Sequence, residues 1–214
     1  MKAAAPTRFF RAIGPGGVFP AGPRREIAFC GRSNVGKSSL LNALTGVRGL
    51  ARTSKTPGRT REIHFYEQGQ DRFLVDLPGY GYAKVSQDER RAWGGLVESY
   101  LERGERIALA VILVDSRHPP FEMDRLLSES LGSRGIPYVV ALTKADRARA
   151  SERSAALEGA RAAFAAAVGI ILTSSKTGLG MKELASRVDE AVQKSTPHRM
   201  PQRKVTLAPS KVPI

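Results

Sequence analysis

The run Gly31-Arg32-Ser33-Asn34-Val35-Gly36-Lys37-Ser38 fits the pattern G-x-x-x-x-G-K-[ST], a loop that cradles phosphate. Its glycines let the backbone bend until several N–H groups converge on one anion. The helix N-terminus behind it adds partial positive charge. In that setting Lys37 reaches the β- and γ-phosphates of a nucleoside triphosphate, and the Ser38 hydroxyl ligates Mg²⁺. Such a loop must sit between a strand and a helix. Glu26-Ile27-Ala28-Phe29-Cys30 reads as a short buried strand, and Ser39-Leu40-Leu41-Asn42-Ala43-Leu44 as the first turns of a helix.

Four more stretches narrow the chemistry. Asp76-Leu77-Pro78-Gly79 follows an apolar strand. There an aspartate holds Mg²⁺ through water, and the Gly79 N–H senses a γ-phosphate because glycine permits close backbone approach. Thr143-Lys144-Ala145-Asp146 also ends a strand. The Asp146 carboxylate can accept two hydrogen bonds side by side, matching the ring N1–H and 2-amino donors of guanine, while the stem of Lys144 lies over the base. Thr173-Ser174-Ser175 follows the last strand and offers backbone N–H groups to the guanine carbonyl. The loop from Thr53 to Arg61 should carry the hydroxyl that completes Mg²⁺ coordination. Thr53, Thr56 and Thr60 compete for that role, and Thr60 is preferred because it directly precedes a strand.

The elements that must position these loops follow from periodicity. Ile63 and Phe65 alternate with their neighbours as a strand; Gln68-Gly69-Gln70-Asp71 is a hairpin turn; Phe73 to Asp76 is the next strand. A capping box at Ser86-Gln87-Asp88-Glu89 opens a helix whose Trp93, Leu96, Val97, Tyr100 and Leu101 share one face. The continuous apolar run from Ile107 to Val114 predicts a strand covered on both sides. A helix at 122–133, a strand at 138–142, an alanine-rich helix at 151–168, a strand at 169–172 and a helix at 181–193 complete the order. The alternation predicts an α/β fold, a doubly wound, mostly parallel, six-stranded sheet with helices on both faces and the hairpin-linked strand antiparallel. The first 23 residues, rich in Gly and Pro, read as a loosely held lead-in.

Bulk composition bounds the partners. The chain has 214 residues and a formal net charge of +14. That excess favours a polyanion, nucleic acid above all. No apolar run of about 18 residues is present, so no membrane span is expected. Cys30 is the sole cysteine, which rules out an internal disulfide and fits a buried, inert thiol in a reducing cytoplasm. His64, His118 and His198 are scattered and suggest no metal site of their own. Arg117 and His118 could touch RNA. Beyond Gln193 no acidic residue occurs, and Lys194, Arg199, Arg203, Lys204 and Lys211 make a basic tail. If each met a phosphate, log K would fall with log[salt] at a slope of roughly −3 to −5.

In order and spacing these stretches resemble a Ras-like P-loop GTPase domain. Their wording is similar to that of the EngB (YihA/YsxC) ribosome-biogenesis GTPases. The phosphate loop, Thr56-Pro57-Gly58-Arg59-Thr60, Asp76-Leu77-Pro78-Gly79-Tyr80-Gly81-Tyr82-Ala83 and Val114-Asp115-Ser116-Arg117-His118-Pro119-Pro120 carry the resemblance, over about residues 24–194. It implies three parts: an N-terminal extension (1–23), a GTPase domain (24–194) and a basic C-terminal tail (195–214).

The resemblance also implies GTP and GDP as ligands with Mg²⁺ held by Ser38 and Thr60. Gly58, Arg59, Thr60, Arg61 and Glu62 form the effector loop, and Lys37, Thr60, Asp76 and Gly79 act in hydrolysis. Thr143, Lys144, Ala145, Asp146, Thr173, Ser174 and Ser175 hold the base. Thr143 stands where many GTPases carry asparagine, which implies modest nucleotide affinity. Tyr80 stands where many relatives carry a water-orienting glutamine, so turnover should be slow, on the order of 10⁻⁴ to 10⁻² s⁻¹. Asn34 resembles the asparagine by which related GTPases hold K⁺. The implied partner is the large ribosomal subunit and its rRNA, not DNA and not a membrane, engaged by a cytoplasmic monomer. The alternative is a nucleotide-gated protein-binding switch linked to cell division.

Overall fold

A computed structural model describes residues 5–51, 62–81 and 87–194, with only the backbone described over 87–93. Thr53, Thr56, Gly58, Arg59, Thr60 and Arg61, the capping serine at 86 and the tail from 195 lie outside the described residues.

The strands are β1 (Thr7–Ile13), β2 (Arg25–Gly31), β3 (Ile63–Gln68), β4 (Arg72–Asp76), β5 (Ile107–Asp115), β6 (Tyr138–Thr143) and β7 (Gly169–Leu172). The helices are α1 (Lys37–Thr45), α2 (Gln87–Leu101), α3 (Glu122–Ser133), α4 (Ala150–Ala163) and α5 (Met181–Lys194). One sheet runs in the order β1-β3-β4-β2-β5-β6-β7. β2 pairs in parallel with β4 and β5, and β5, β6 and β7 continue in parallel. β3 is antiparallel to β4, as the hairpin turn demands.

The side-chain period of two divides each central strand between two cores. Along β5, Ala110, Ile112 and Val114 join Leu96, Tyr100 and Leu101 of α2, Leu131 of α3 and Phe164 after α4. Leu109, Val111 and Leu113 face the other way, with Leu40 and Leu41 of α1 and Leu184, Val188 and Val192 of α5. A strand apolar at every position is therefore what a doubly covered sheet requires.

The sheet has seven strands, one more than predicted. The seventh comes from the lead-in: β1 lies antiparallel to β3, with Thr7 opposite Gln68 and Ile13 opposite Ile63. A bulge between Phe9 and Arg11 obscures the alternation that would have marked it as a strand. The remainder of the lead-in is tied to the body. Phe19 packs at 5.9 Å from Tyr100, and Arg103 donates to the Pro20 carbonyl at 2.8 Å. Arg103 and Arg106 both grip Glu26, which is fully buried. A second difference concerns α4, which stops at Ala163 rather than 168. Phe164 is 2% exposed, and dropping its ring into the core turns the chain so that Val168 N–H meets the Tyr138 carbonyl. Core burial overrides the alanine-rich helix propensity there.

Candidate nucleotide-binding site

The C-terminal ends of the parallel strands β2, β4, β5 and β6 deliver their loops to one edge of the sheet, where α/β folds place ligands. Gly36 takes φ 108°, a conformation that suits glycine, and lets the chain swing from the loop into α1. The N–H groups of the first turn of α1 have no partners within the helix, so they are available to an anion.

Lys37 emerges from that turn and donates to the Asp76 carboxylate at the tip of β4. Asp76 is 4% exposed. The two residues that sequence spacing assigns to phosphate and to the metal's water shell are therefore adjacent, with their charges balanced in a shielded place. The Asp76-to-Tyr80 segment is sewn to the phosphate loop. Leu77 N–H donates to the Phe29 carbonyl at 3.0 Å, and Ser33 N–H to the Tyr80 carbonyl at 2.9 Å. Gly79 passes so close that a Cβ there would lie 3.0 Å from the Ser33 nitrogen. Glycine fits there without displacing Ser33, whereas any larger residue would press on the phosphate loop.

The two loops that the sequence assigns to the base meet at the far side of the same edge. Ser174 donates to the Asp146 carboxylate at 2.7 Å. That bond holds the exposed Asp146 carboxyl below its ordinary pKa, with Lys176 and Arg147 acting in the same direction. Ala145 N–H donates to the Thr173 carbonyl at 3.2 Å. The 143–146 and 173–174 segments are thus one unit, while Ser175 is exposed beside it. Glu62, the one effector-loop residue among those described, is exposed and lies against Gly14.

Two features of the site were not legible in the sequence. The Thr143 hydroxyl sits 2.7 Å from the Val35 carbonyl and donates to it, tying the base-recognition strand to the phosphate loop. The same oxygen also lies 3.3 Å from the Val114 carbonyl, so the hydroxyl only donates where an asparagine amide could both donate and accept. Asp115, at the end of β5, accepts from Lys144 Nζ at 2.9 Å and from Arg117 Nη2 at 2.7 Å and Nε at 2.9 Å. Burial pushes the Asp115 carboxyl up, but the bonds from Arg117 and Lys144 outweigh it and hold the group well below the carboxylate range. The signal was an acid at a strand end with an arginine two residues on. Arg117, offered by the sequence as an RNA contact, is engaged with Asp115. Among the described residues no group of three or more His, Cys, Asp or Glu side chains could hold a metal.

Residues 26–144 match a family model described as "50S ribosome-binding GTPase". The chain is 48% identical over 164 residues to a probable GTP-binding protein EngB of Chlorobium luteolum, covering 77% of this chain and 79% of that protein. It belongs to the EngB family of P-loop GTPases. A further EngB relative, from Thermotoga maritima, is 45% identical over 84% of this chain and 92% of its own length. A crystal structure of a probable GTP-binding protein EngB superposes with a TM-score of 0.66 at 25% identity, over 79% of this chain and 99% of that one. The EngB resemblance read from the phosphate loop and the Asp76–Ala83 stretch is thereby borne out, and so is the doubly wound P-loop fold. Among the described residues no helix is long and apolar enough to cross a membrane.

Proposed function

We propose that this chain is a GTP-hydrolysing switch that binds rRNA of the large ribosomal subunit in the cytoplasm and assists its assembly. The observation that carries the switch is the joining of Asp76–Tyr80 to the phosphate loop, which makes the γ-phosphate sensor continuous with the cradle. Support for the partner comes from the family description, which is that of a 50S ribosome-binding GTPase, and from the net charge of +14. Such a charge suits an RNA surface.

Each residue's work follows from its place. The 31–38 backbone holds the phosphates, and Lys37 shares its ammonium between them and Asp76. Asp146, kept ionised by the Ser174 hydroxyl, pairs with two donors that guanine has and adenine lacks. The stem of Lys144, fixed by Asp115, flanks the base. The half-buried Ser38 hydroxyl in the first turn of α1 and the shielded Asp76 carboxylate are oxygen donors of the kind Mg²⁺ takes, so this part of the site fits the ion. Ser38 and Thr60 would hold it, and it would neutralise charge on the β- and γ-phosphates. Asn34, exposed on the loop, is the residue we assign to K⁺. Thr60 and the Gly79 N–H gain the γ-phosphate as a partner in the GTP state and lose it on hydrolysis, which sets the affinity for the ribosomal particle.

A second reading, a nucleotide-gated protein-binding switch, draws on one observation. Met123 and Leu126 are exposed beside an apolar cleft of about 180 Å³ that begins at Leu77 and Tyr80. The deciding experiment measures GTP turnover in K⁺ and in Na⁺, with and without large subunits, alongside co-sedimentation over a salt series. Turnover raised by subunits, with binding that weakens steeply with salt, is the expected outcome. Turnover indifferent to both additions, without co-sedimentation, would overturn the ribosomal reading.

A further inference from the structure

Tyr80 follows the Asp76–Gly79 segment directly, and its surroundings go beyond packing. It is 6% exposed. Its hydroxyl donates to Asp124 Oδ1 at 2.5 Å, and Asp124, 1% exposed, accepts the Phe121 N–H on its other oxygen at 2.8 Å. Asp124 thus serves two purposes with two oxygens: it caps the first turn of α3 and receives the tyrosine. At the backbone, Tyr80 N–H donates to the Gly31 carbonyl at 3.4 Å, and the Tyr80 carbonyl accepts from Ser33. Tyr80 and Arg32 form a parallel bridge just beyond β2. Arg32 in turn lies 3.7 Å over the Phe121 ring.

We propose that Tyr80 is a positioning residue for GTP hydrolysis, a latch that fixes the Gly79 peptide against the phosphate loop by anchoring its neighbour to Asp124 of α3. The inference rests on the GTPase reading given above. Three attachments converge on one residue: the two backbone bonds that make the bridge beside Arg32, and the side-chain bond to α3. They leave Gly79 little freedom one peptide away. A γ-phosphate sensor held this way is pre-set at the distance set by the Ser33 backbone, so less ordering remains when GTP arrives. Burial, followed by the nearby Asp124 charge, pushes the Tyr80 phenol well above its ordinary range, so it stays a neutral donor and takes no proton from water. The latch acts through Gly79 and touches no reacting atom itself. GDP lacks the γ-phosphate, so its binding should not depend on the latch.

Tyr80→Phe keeps the ring and deletes only the donor, and Asp124→Asn removes one of the two acceptor oxygens. Single-turnover GTP hydrolysis, with the affinities for GDP and for a non-hydrolysable GTP analogue, separates the possibilities. Tyr80→Phe should lower the hydrolysis rate about tenfold, the effect of one lost hydrogen bond to a charged partner. It should weaken the analogue while leaving GDP within about twofold of the parent. Asp124→Asn should move the same quantities in the same direction, and the double variant should be no worse than the lower single, since both remove one contact. Equal losses for GDP and analogue would reduce Tyr80 to a structural role and overturn the proposal. So would an unchanged rate in Tyr80→Phe. A parent protein that does not hydrolyse GTP would instead overturn the GTPase reading, so the two failures are distinguishable.

Discussion

Lys144 Nζ donates to the Asn34 carbonyl at 2.7 Å, and these two are the only non-glycine residues with positive φ among the described residues, at 58° and 63°. Left-handed backbone is uncommon for such residues and persists where the surroundings over-determine it. Here one bond joins the two unusual positions, and the Thr143 hydroxyl adds a second tie to Val35 next door. The phosphate-loop segment at Asn34 and the 143–146 segment are therefore tied together, although Asn34 and Lys144 lie 110 residues apart in sequence.

Removing the second tie should loosen that junction. Thr143→Ala leaves the buried Val35 carbonyl without its hydroxyl donor, costing about 1–3 kcal/mol of stability. Thr143→Ser should retain most of it. Chemical denaturation gives the stability, and fluorescent-GDP titration should show the alanine variant binding more weakly than the serine one.

Asp115 should act on nucleotide affinity through Lys144. Asp115→Asn weakens the hold on both Lys144 and Arg117, so GDP dissociation should quicken while the fold remains. The folded-state carboxyl sits below its unfolded value. Its contribution to stability is therefore full above the ordinary aspartate range, near pH 4, and is lost as pH falls below that. An acid titration of the parent and the asparagine variant should converge only at low pH; divergence confined to neutral pH and above would contradict this.

Glu26 should matter to the N-terminal segment. It is fully buried between Arg103 and Arg106, which also donate to the Pro20 and Gly22 carbonyls. Glu26→Gln leaves two partly buried guanidinium groups without their counter-charge and should destabilise the protein by about 3 kcal/mol. Hydrogen exchange should show β1 and residues 14–24 losing protection first.

Cys30 should be inert in the folded protein. Burial pushes its thiol up to about 12, well above the range in which thiol reagents find thiolate. A disulfide reagent at pH 8 should label the chain only when denaturant is added. Because the folded-state value is raised, stability should fall as pH rises past the ordinary thiol range, about 8.5.

The sequence alone determined the family and most of the frame. Gly31–Ser38, Asp76–Gly79 and Thr143–Asp146 stand out in the sequence because each is a short local motif with given residue types at fixed spacing, and these are the motifs that pointed to the EngB family. The helix at 122–133 and the strand at 169–172 were legible for the same reason, since hydrophobic period is a local property. Only the tertiary structure decided which distant groups meet. That Thr143 would tether Val35, that Asp115 would clamp Lys144 and that Tyr80 would find Asp124 all depend on how strands β2, β4, β5 and β6 lie side by side, which no local pattern records. Two local readings missed what the fold does. The Gly- and Pro-rich lead-in hides an edge strand because an open β3 edge offers it unpaired backbone groups, and Phe164 ends an alanine helix because the core has room for its ring. At Phe164 burial outweighed helix propensities worth a fraction of a kcal/mol per residue, roughly 0.7 at most for ordinary residues, while at β1 the bulge between Phe9 and Arg11 hid a strand that its Thr, Phe and Ile favour.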